Sequence, residues 1–377
     1  MSDQARVLAV AQASTLGGAE YGLLRLARLL PAHGFEVEIA SPGPGPLEDA
    51  ARQEGIATHR LAVGGLSAGA WPRALAALPR ARALVKKGGF GLAWLNGTVA
   101  QRLAPGLAGA ILVPHVHDLL ERAPLPWRSG RFWSRAPVVL CDSHAVADRS
   151  RALGAPGRSL RVVGCPVDPV GRVERPPWAD GRPTVGFVGR LEPRKAPLDL
   201  LRALPAVAER VPGVRLVLVG GAEIDGPPDY ADEVLAAAAR HGDRVLMLGN
   251  VPEAARLMPW FDVLAVPSLV EPFGTVAAES LAAGTPVLAT RSGGMEEYVT
   301  DGGVGALVPP GDPGALADAL TGLLPRSATL ADACREAAAP FASERVGAAV
   351  AAAFREALAA RGRAGAGPPL RRRGEPR

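Results

Sequence analysis

The stretch from Val263 to Thr290 constrains the fold of this chain more than any other. Val263-Leu-Ala-Val-Pro267 is a short apolar run of the kind that forms a buried strand, and Pro286-Val-Leu-Ala-Thr290 is a second. Between them Thr275 to Ala283 has helical composition, and Gly284 stands where a C-terminal cap belongs. Strand, polar turn, helix and strand in that order make one step of a parallel α/β sheet. Ligands of such sheets bind beyond the carboxyl ends of the strands, where the turn from Glu271 to Thr275 lies. The free amides and positive dipole end at Phe273 to Val276 suit a phosphate or a cluster of hydroxyls.

Two carboxylates flank the start of this helix. Glu271 lies in the turn, and Glu279 is about a turn and a half into the helix at roughly 3.6 residues per turn. A carboxylate accepts two hydroxyl hydrogen bonds at once, so the pair can hold two separate diols, as in a sugar nucleotide. On spacing alone a capping acid and a solvated helix glutamate explain them equally well. Glu271 and Glu279, the Pro-Phe-Gly between them and the Ala-Ala-Gly-Thr-Pro after them resemble the E-x7-E signature of retaining glycosyltransferases of family four. That resemblance implies the GT-B fold: α/β, with two Rossmann-like parallel-sheet domains facing across a cleft and a C-terminal helix crossing back to the first.

The rest of the chain can be asked whether it agrees. At 377 residues it is too long for one ordinary core, and two domains are expected. The three cysteines, Cys141, Cys165 and Cys334, have neither disulfide nor metal spacing, which fits a reducing compartment. The N-terminal apolar run reads as a first strand more than a signal peptide, and no apolar run has the length of about 18 residues that a membrane span needs. A cytoplasmic protein is expected. The net charge of +5 divides unevenly. Residues 1–170 hold 19 Lys/Arg and 12 Asp/Glu (+7), residues 171–360 hold 17 and 24 (−7), and residues 361–377 hold six Arg and one Glu (+5). No nucleic-acid-binding motif accompanies the basic charge, so no nucleic-acid partner is expected. A basic first half can instead meet an anionic acceptor or the inner face of an acidic membrane.

Along the chain, residues 6–11 read as strand one, followed by Thr15-Leu-Gly-Gly-Ala-Glu20 and a helix to about His33. Gly17 and Gly18 allow a close approach of ligand to backbone. The turn resembles the Gly-Gly-x-Glu turn of family-four enzymes, which implies that the Gly18 amide meets the donor diphosphate. Further strands are expected at 35–40, 92–95, 111–116 and 137–142, with helices at 46–54, 71–87, 97–108 and 143–153. Pro114-His115-Val116-His117-Asp118 ends the fourth strand. The resemblance puts a histidine here beside the donor sugar, and His117 fits better than His115, although strand alternation points both the same way. A hydrogen-bonded structural histidine is the alternative.

The segment Glu121 to Arg135 packs Trp127, Phe132 and Trp133 among four arginines. It reads either as an interfacial element bordering the acceptor site and touching lipid, or as aromatics packed inward with arginine outside. The basic residues of 71–87 read as a solvated face. Asn96-Gly-Thr98 matches a glycosylation sequon that a cytoplasmic chain does not present. At Val163-Gly-Cys165-Pro166-Val-Asp168, Cys165 and Pro166 replace the Asn-Gly pair common in the family, so a role of that turn in donor binding does not carry over.

The second domain opens with Thr184-Val-Gly-Phe-Val-Gly189-Arg190-Leu-Glu-Pro-Arg-Lys195. The fork of Arg190 and the point charge of Lys195 suit the two phosphates of a diphosphate, and the pattern resembles the family's Gly-Arg…Lys motif. Arg194 reads as solvated. Strands are expected at 214–220 and 245–249, and helices at 230–240, 313–324, 328–339 and 343–360. The boundaries read as a first domain over 1–170, a nucleotide-sugar domain over 171–342, a crossover helix over 343–360 and a disordered basic tail over 361–377.

By resemblance, Arg190, Lys195 and the amides of the Gly17-Gly18 turn neutralise the leaving diphosphate, so neither metal nor other cofactor is expected. Glu279 binds the ribose diol, while Glu271 with the Phe273, Gly274 and Thr275 amides binds the hexose hydroxyls and His117 lies against the sugar. The expected reaction moves a hexosyl group with retention from a UDP- or GDP-linked sugar to a hydroxyl of a lipid-linked saccharide, polysaccharide or small natural product. The alternatives are a nucleotide-sugar epimerase of the same fold and a non-catalytic nucleotide-sugar-binding protein. A phosphorylase lacks a sign of a pyridoxal lysine, and a dehydrogenase lacks the dinucleotide fingerprint.

Overall fold

A computed structural model of the chain describes residues 4–63, 71–128, 130–171, 174–222 and 229–365. Most of the basic tail (366–377) and linker residues 172 and 173 lie outside them. The chain divides into two compact units. The first comprises residues up to Asp142, Ala147–Val163 and the chain after Ser343, while the second comprises Ser143–Val146 and Gly164–Ser343.

The first unit is built on a seven-stranded sheet of β1 (Ala5–Ala11), β2 (Phe35–Ser41), β3 (Thr58–Arg60), β4 (Leu92–Asn96), β5 (Ile111–Val116), β6 (Val139–Cys141) and β7 (Leu160–Val162). Their order is β3-β2-β1-β4-β5-β6-β7, and every pair is parallel. Helices α1 (Gly18–Leu29), α2 (Pro46–Gln53), α3 (Trp71–Gly88), α4 (Gly130–Arg135) and α5 (His144–Ala152) lie between the strands in sequence. A parallel sheet covered on both faces needs strands apolar on both sides, and Val7 to Ala11 are all buried.

The second unit carries a six-stranded parallel sheet of β8 (Thr184–Val188), β9 (Arg215–Val219), β10 (Val245–Gly249), β11 (Val263–Val266), β12 (Val287–Thr290) and β13 (Gly305–Val308). Its order is β10-β9-β8-β11-β12-β13. Helices α6 (Pro197–Arg210), α7 (Tyr230–Ala239), α8 (Thr275–Ala282), α9 (Pro313–Leu323) and α10 (Ala331–Ala338) complete it. The last helix, α11 (Ser343–Gly365), returns to the first unit's core. Its stripe Val346, Val350, Phe354 and Ala357 is buried at helical spacing. Phe354 packs edge-on against Phe35 at 5.3 Å and Trp94 at 5.6 Å.

The expected helix at 97–108 is absent as an α-helix: only a short 3-10 turn forms over Ala100–Leu103. Gly97 has φ +99°, and Pro105-Gly106 follows, so neither end of that stretch supports helical propagation. The 328–339 stretch likewise opens as a 3-10 turn (Leu324–Leu330) before α10 begins. Around Trp127 the rings face inward. Trp127 and Phe132 are each 4% exposed and cluster with Trp133, while Arg122, Arg128, Arg131 and Arg135 are exposed. The indole of Trp127 donates to Gln101, so the segment keeps its rings in the domain and offers none of these two for insertion into lipid. Among the described residues no helix is long and apolar enough to cross a membrane.

Candidate active site

In the second unit, β8 delivers Gly189 and Arg190 to its carboxyl end, and a 3-10 turn (Pro193–Lys195) presents Lys195. The next sheet neighbour, β11, delivers Ser268 to Glu271. Lys195 Nζ donates to Glu271 Oε2 at 2.5 Å, and Ser268 Oγ donates to the same oxygen at 3.0 Å. Both side chains of the ion pair are largely buried, at 16% and 8% exposure. Among the described residues no hydrogen bond falls on Oε1 of Glu271. The sequence reading placed Lys195 and Glu271 at different parts of a donor; the structure couples them.

The backbone around Glu271 is equally fixed. Its N–H donates to Ser292 O at 3.1 Å, and Gly294 N–H donates to Glu271 O at 3.0 Å. A Cβ on Gly294 would stand 2.2 Å from Pro272 O, so the close approach of these turns depends on that glycine. Gly274 caps α8 with φ +86°, a left-handed conformation that turns the chain into the helix. The first amides of α8, which begins at Thr275, have no intrahelical acceptor and carry the positive end of its dipole. Glu279, half-buried, follows within the same helix.

Tyr298 braces this turn. Its hydroxyl lies 2.7 Å from Phe273 O and 2.8 Å from Gly274 O, and its ring contacts Phe273. Burial, then the charge of Glu271, raises the phenol well above its ordinary value, so it stays a donor at any physiological pH. Tyr298→Phe is expected to lower unfolding stability by about 1 kcal/mol, the worth of a typical intramolecular hydrogen bond. Urea denaturation measures it, and an unchanged midpoint would remove the brace. Arg190 is half-exposed and pairs with Glu192 at 3.1 Å. Arg194, expected to be solvated, instead bonds Glu192 at 3.0 Å and Val270 O at 3.2 Å, tying the 190s turn to the 269–270 loop.

In the first unit, Gly17 is the extended N-cap of α1, and Gly17 and Gly18 are exposed. His115 and His117 share Asp142: His115 Nε2 lies 2.9 Å from Oδ1, and His117 Nδ1 lies 2.8 Å from Oδ2. Trp94 Nε1–H donates to His115 Nδ1 at 3.3 Å, which leaves the proton of a neutral ring on Nε2, facing Asp142. Burial, then neighbouring His117, pushes His115 down to about 4. His117 differs because both its nitrogens face acceptors. Nδ1 faces Asp142, and Nε2 lies 2.9 Å from Asn96 Oδ1, with Asn96 Nδ2 donating to Ala19 O at 3.3 Å. Two acceptors require two ring protons. Burial opposes that charge, but Asp142 outweighs it, aided by Asp118 and Glu20, and the pKa of His117 is raised. Asp142 is correspondingly held below the usual carboxylate range: burial works against this, and His117 and His115 overcome it.

His117 is the more exposed of the two, at 11% against 3% for His115. The ligand atoms of His115, His117 and Asp142 lie within 4.8 Å of one another, close enough for a metal. Their hydrogen bonds already pair these groups, and a doubly protonated His117 offers no lone pair, so the arrangement suits a cationic imidazolium better than a metal. Asn96, Asp142 and Glu192 are site neighbours that the sequence reading passed over. Asn96 and Asp142 do stand at carboxyl ends of strands, and that position was their only signal.

Residues 16–170 match the model described as Glycosyltransferase Family 4, and residues 182–326 match that described as Glycosyl transferases group 1. A D-inositol 3-phosphate glycosyltransferase of Xylanimonas cellulosilytica is 34% identical over 384 residues, covering 89% of this chain and 90% of the relative. The enzyme of that name from Mycolicibacterium paratuberculosis is 40% identical over 186 residues, covering 46% of this chain and 40% of the relative. Among solved structures, Anabaena HepE in complex with UDP-glucose superposes with a TM-score of 0.78 at 25% identity, covering 93% of this chain and 99% of that one. A sucrose-phosphate synthase from Thermosynechococcus elongatus shares the fold at a TM-score of 0.76 and 24% identity, covering 95% and 100%. With its two parallel-sheet units, paired glutamates and Arg-Lys turn, this chain belongs to the family-four glycosyltransferases and has the GT-B fold.

Proposed function

We propose that this glycosyltransferase moves a hexosyl group from a UDP-linked donor to a hydroxyl acceptor with retention of anomeric configuration. The observation that carries the reading is the coupling of Lys195 to Glu271 at the mouth of α8, which sets a cation for diphosphate beside a carboxylate for sugar hydroxyls. The UDP-glucose complex of the similar Anabaena protein supports uridine as the base. The name of the Xylanimonas relative makes a phosphorylated polyol the first acceptor to try.

In this reaction the bond between the anomeric carbon and the diphosphate oxygen breaks, and a bond to the acceptor oxygen forms on the same face. The acceptor's proton leaves with the diphosphate. Negative charge grows on the leaving group, and Arg190 and Lys195 meet it from fixed positions. These two cations supply the positive charge needed, so transfer is expected to persist in EDTA. Glu271 Oε1 takes a hexose hydroxyl, the amides of Phe273, Gly274 and Thr275 take others, and Glu279 takes the ribose diol. In the first unit the family resemblance assigns donor contacts to the Gly17-Gly18 turn and His117.

A thermal-shift panel of UDP-, GDP-, ADP- and dTDP-sugars tests the donor. At about 100-fold excess over Kd, a ligand of the folded state adds roughly 2.7 kcal/mol. UDP-sugars are expected to give that shift, and NMR of the product's anomeric proton to show the donor's configuration. A shift with GDP-sugars alone would replace uridine, and an inverted product would overturn retention.

A further inference from the structure

We propose that the β3 edge of the first unit carries a second anion site, built for a phosphate-bearing ligand and made of none of the donor residues. A pocket of about 470 Å³ opens there between α2, β3 and α3. Its cations are Arg52, Arg60, Arg80 and Lys87, and its one acid is Glu48.

One wall is immobilised. Glu48 is buried, with its side chain 5% exposed, and accepts Arg60 Nε and Nη2 at 3.1 Å each as well as a bond from Arg52. The hydrogen bond from Arg60, more than the burial that opposes it, lowers the Glu48 carboxyl, so this anchor stays charged. One carboxylate thus fixes two guanidinium groups, each with its side chain about half exposed. The other wall comes from α3, where Arg80 and Lys87 are two turns apart on one helix face with Leu84 between them. Among the described residues neither Arg80 nor Lys87 has an acidic partner.

Of the acids beside the pocket, Asp49 pairs with Arg52 at 3.4 Å. Glu38 is taken up by Arg6 and by His59, whose Nε2 lies 2.5 Å from Glu38 Oε2. Four cations against Glu48 and Asp49 leave +2 around a single concavity. A solvated basic helix face sheds such charge into water by splaying its side chains. Here α3 instead faces two guanidinium groups held in place, and convergence of like charge costs stability until an anion enters. Planar arginine forks match phosphate oxygens two at a time, and Lys87 adds a point charge. The chemistry shared by a soluble phosphate compound and a phospholipid headgroup is what this pocket recognises.

Calorimetric titration of inorganic pyrophosphate into the full chain carrying Arg190→Ala and Lys195→Ala removes the donor cations from the measurement. One site is expected, with affinity at least tenfold weaker once Arg80→Ala and Lys87→Ala are added. These two side chains are exposed and, among the described residues, without acidic partners, so circular dichroism should be unchanged by their loss. The same titration of the otherwise unaltered chain saturated with UDP repeats the comparison should the Arg190 and Lys195 changes prevent folding. Cosedimentation with phosphatidylglycerol vesicles identifies the source: pelleting that pyrophosphate competes away marks a headgroup, and pyrophosphate binding without pelleting marks a soluble ligand. Affinity that survives loss of Arg80 and Lys87, or no binding of either probe, would overturn the site.

Discussion

Lys195→Ala is expected to slow transfer by about 10²- to 10³-fold, the cost of removing one preorganised donor from a developing anion. The effect has two sources. In the proposed function Lys195 meets the diphosphate, and in the structure it holds Glu271 Oε2 at 2.5 Å. Without it the carboxylate keeps, among the described residues, only Ser268 as a side-chain donor, at 3.0 Å, in a site where it is 8% exposed. A buried charge that loses its partner destabilises the fold, by roughly 3–5 kcal/mol in the severe cases. Lys195→Ala should therefore lose stability, whereas Lys195→Arg should recover the ion pair but not the full rate. Glu271→Gln is the complementary change: it removes the acid and keeps its shape, so it should weaken sugar binding with less loss of stability. Steady-state rates with urea denaturation separate these outcomes. A Lys195→Ala enzyme as fast as the parent would show that the diphosphate is neutralised elsewhere.

The residues behind that prediction were legible because each belongs to a local pattern. Glu271 and Glu279 stand on one strand–turn–helix unit, and Arg190 and Lys195 on another, so local motifs that resemble those of the family made them candidates. Their mutual contact was not legible, since it joins residues 76 apart across the β8–β11 neighbourhood. Asn96 and Asp142 show the same limit more sharply. Each ends an apolar strand with no neighbour in sequence that marks it as a site residue, and the β4-β5-β6 order brings them around His117. In the fold, long apolar runs were found and short edge strands were not. β3 and β7 have three residues each, and β13 has four and begins at a glycine, so none offers a run long enough to stand out. The helix expected over 97–108 failed because composition was weighed above the break at Pro105-Gly106.

The His115–Asp142–His117 group should make stability peak near neutral pH, and Asp142→Asn should reshape both limbs of that peak. His115 is neutral in the fold, with its pKa lowered to about 4 from an unfolded value of about 6.5. Between those values the unfolded chain binds the extra proton, so stability falls as pH drops through this window, by on the order of 3 kcal/mol. Asp142 adds to the acid limb: its pKa is depressed in the fold, so its contribution is complete above the unfolded value of about 3.9 and is lost on further acidification. His117 acts in the opposite direction. Its folded pKa is raised, so its contribution is complete below about 6.5 and is lost as pH rises through the folded value. Asp142→Asn removes the charge that keeps His117 protonated. The variant should be less stable at neutral pH by roughly 3 kcal/mol or more, as for a buried pair that loses one partner. Its alkaline limb should flatten, because His117 then has no folded-state proton to give up. Urea denaturation from pH 4.5 to 9 on both proteins reads the two limbs, and imidazole NMR shifts read the charge of His117 directly. A parent whose stability does not fall on the alkaline side, with His117 neutral at pH 7, would mean that Asn96 accepts no proton bond from it and that the site presents a neutral imidazole.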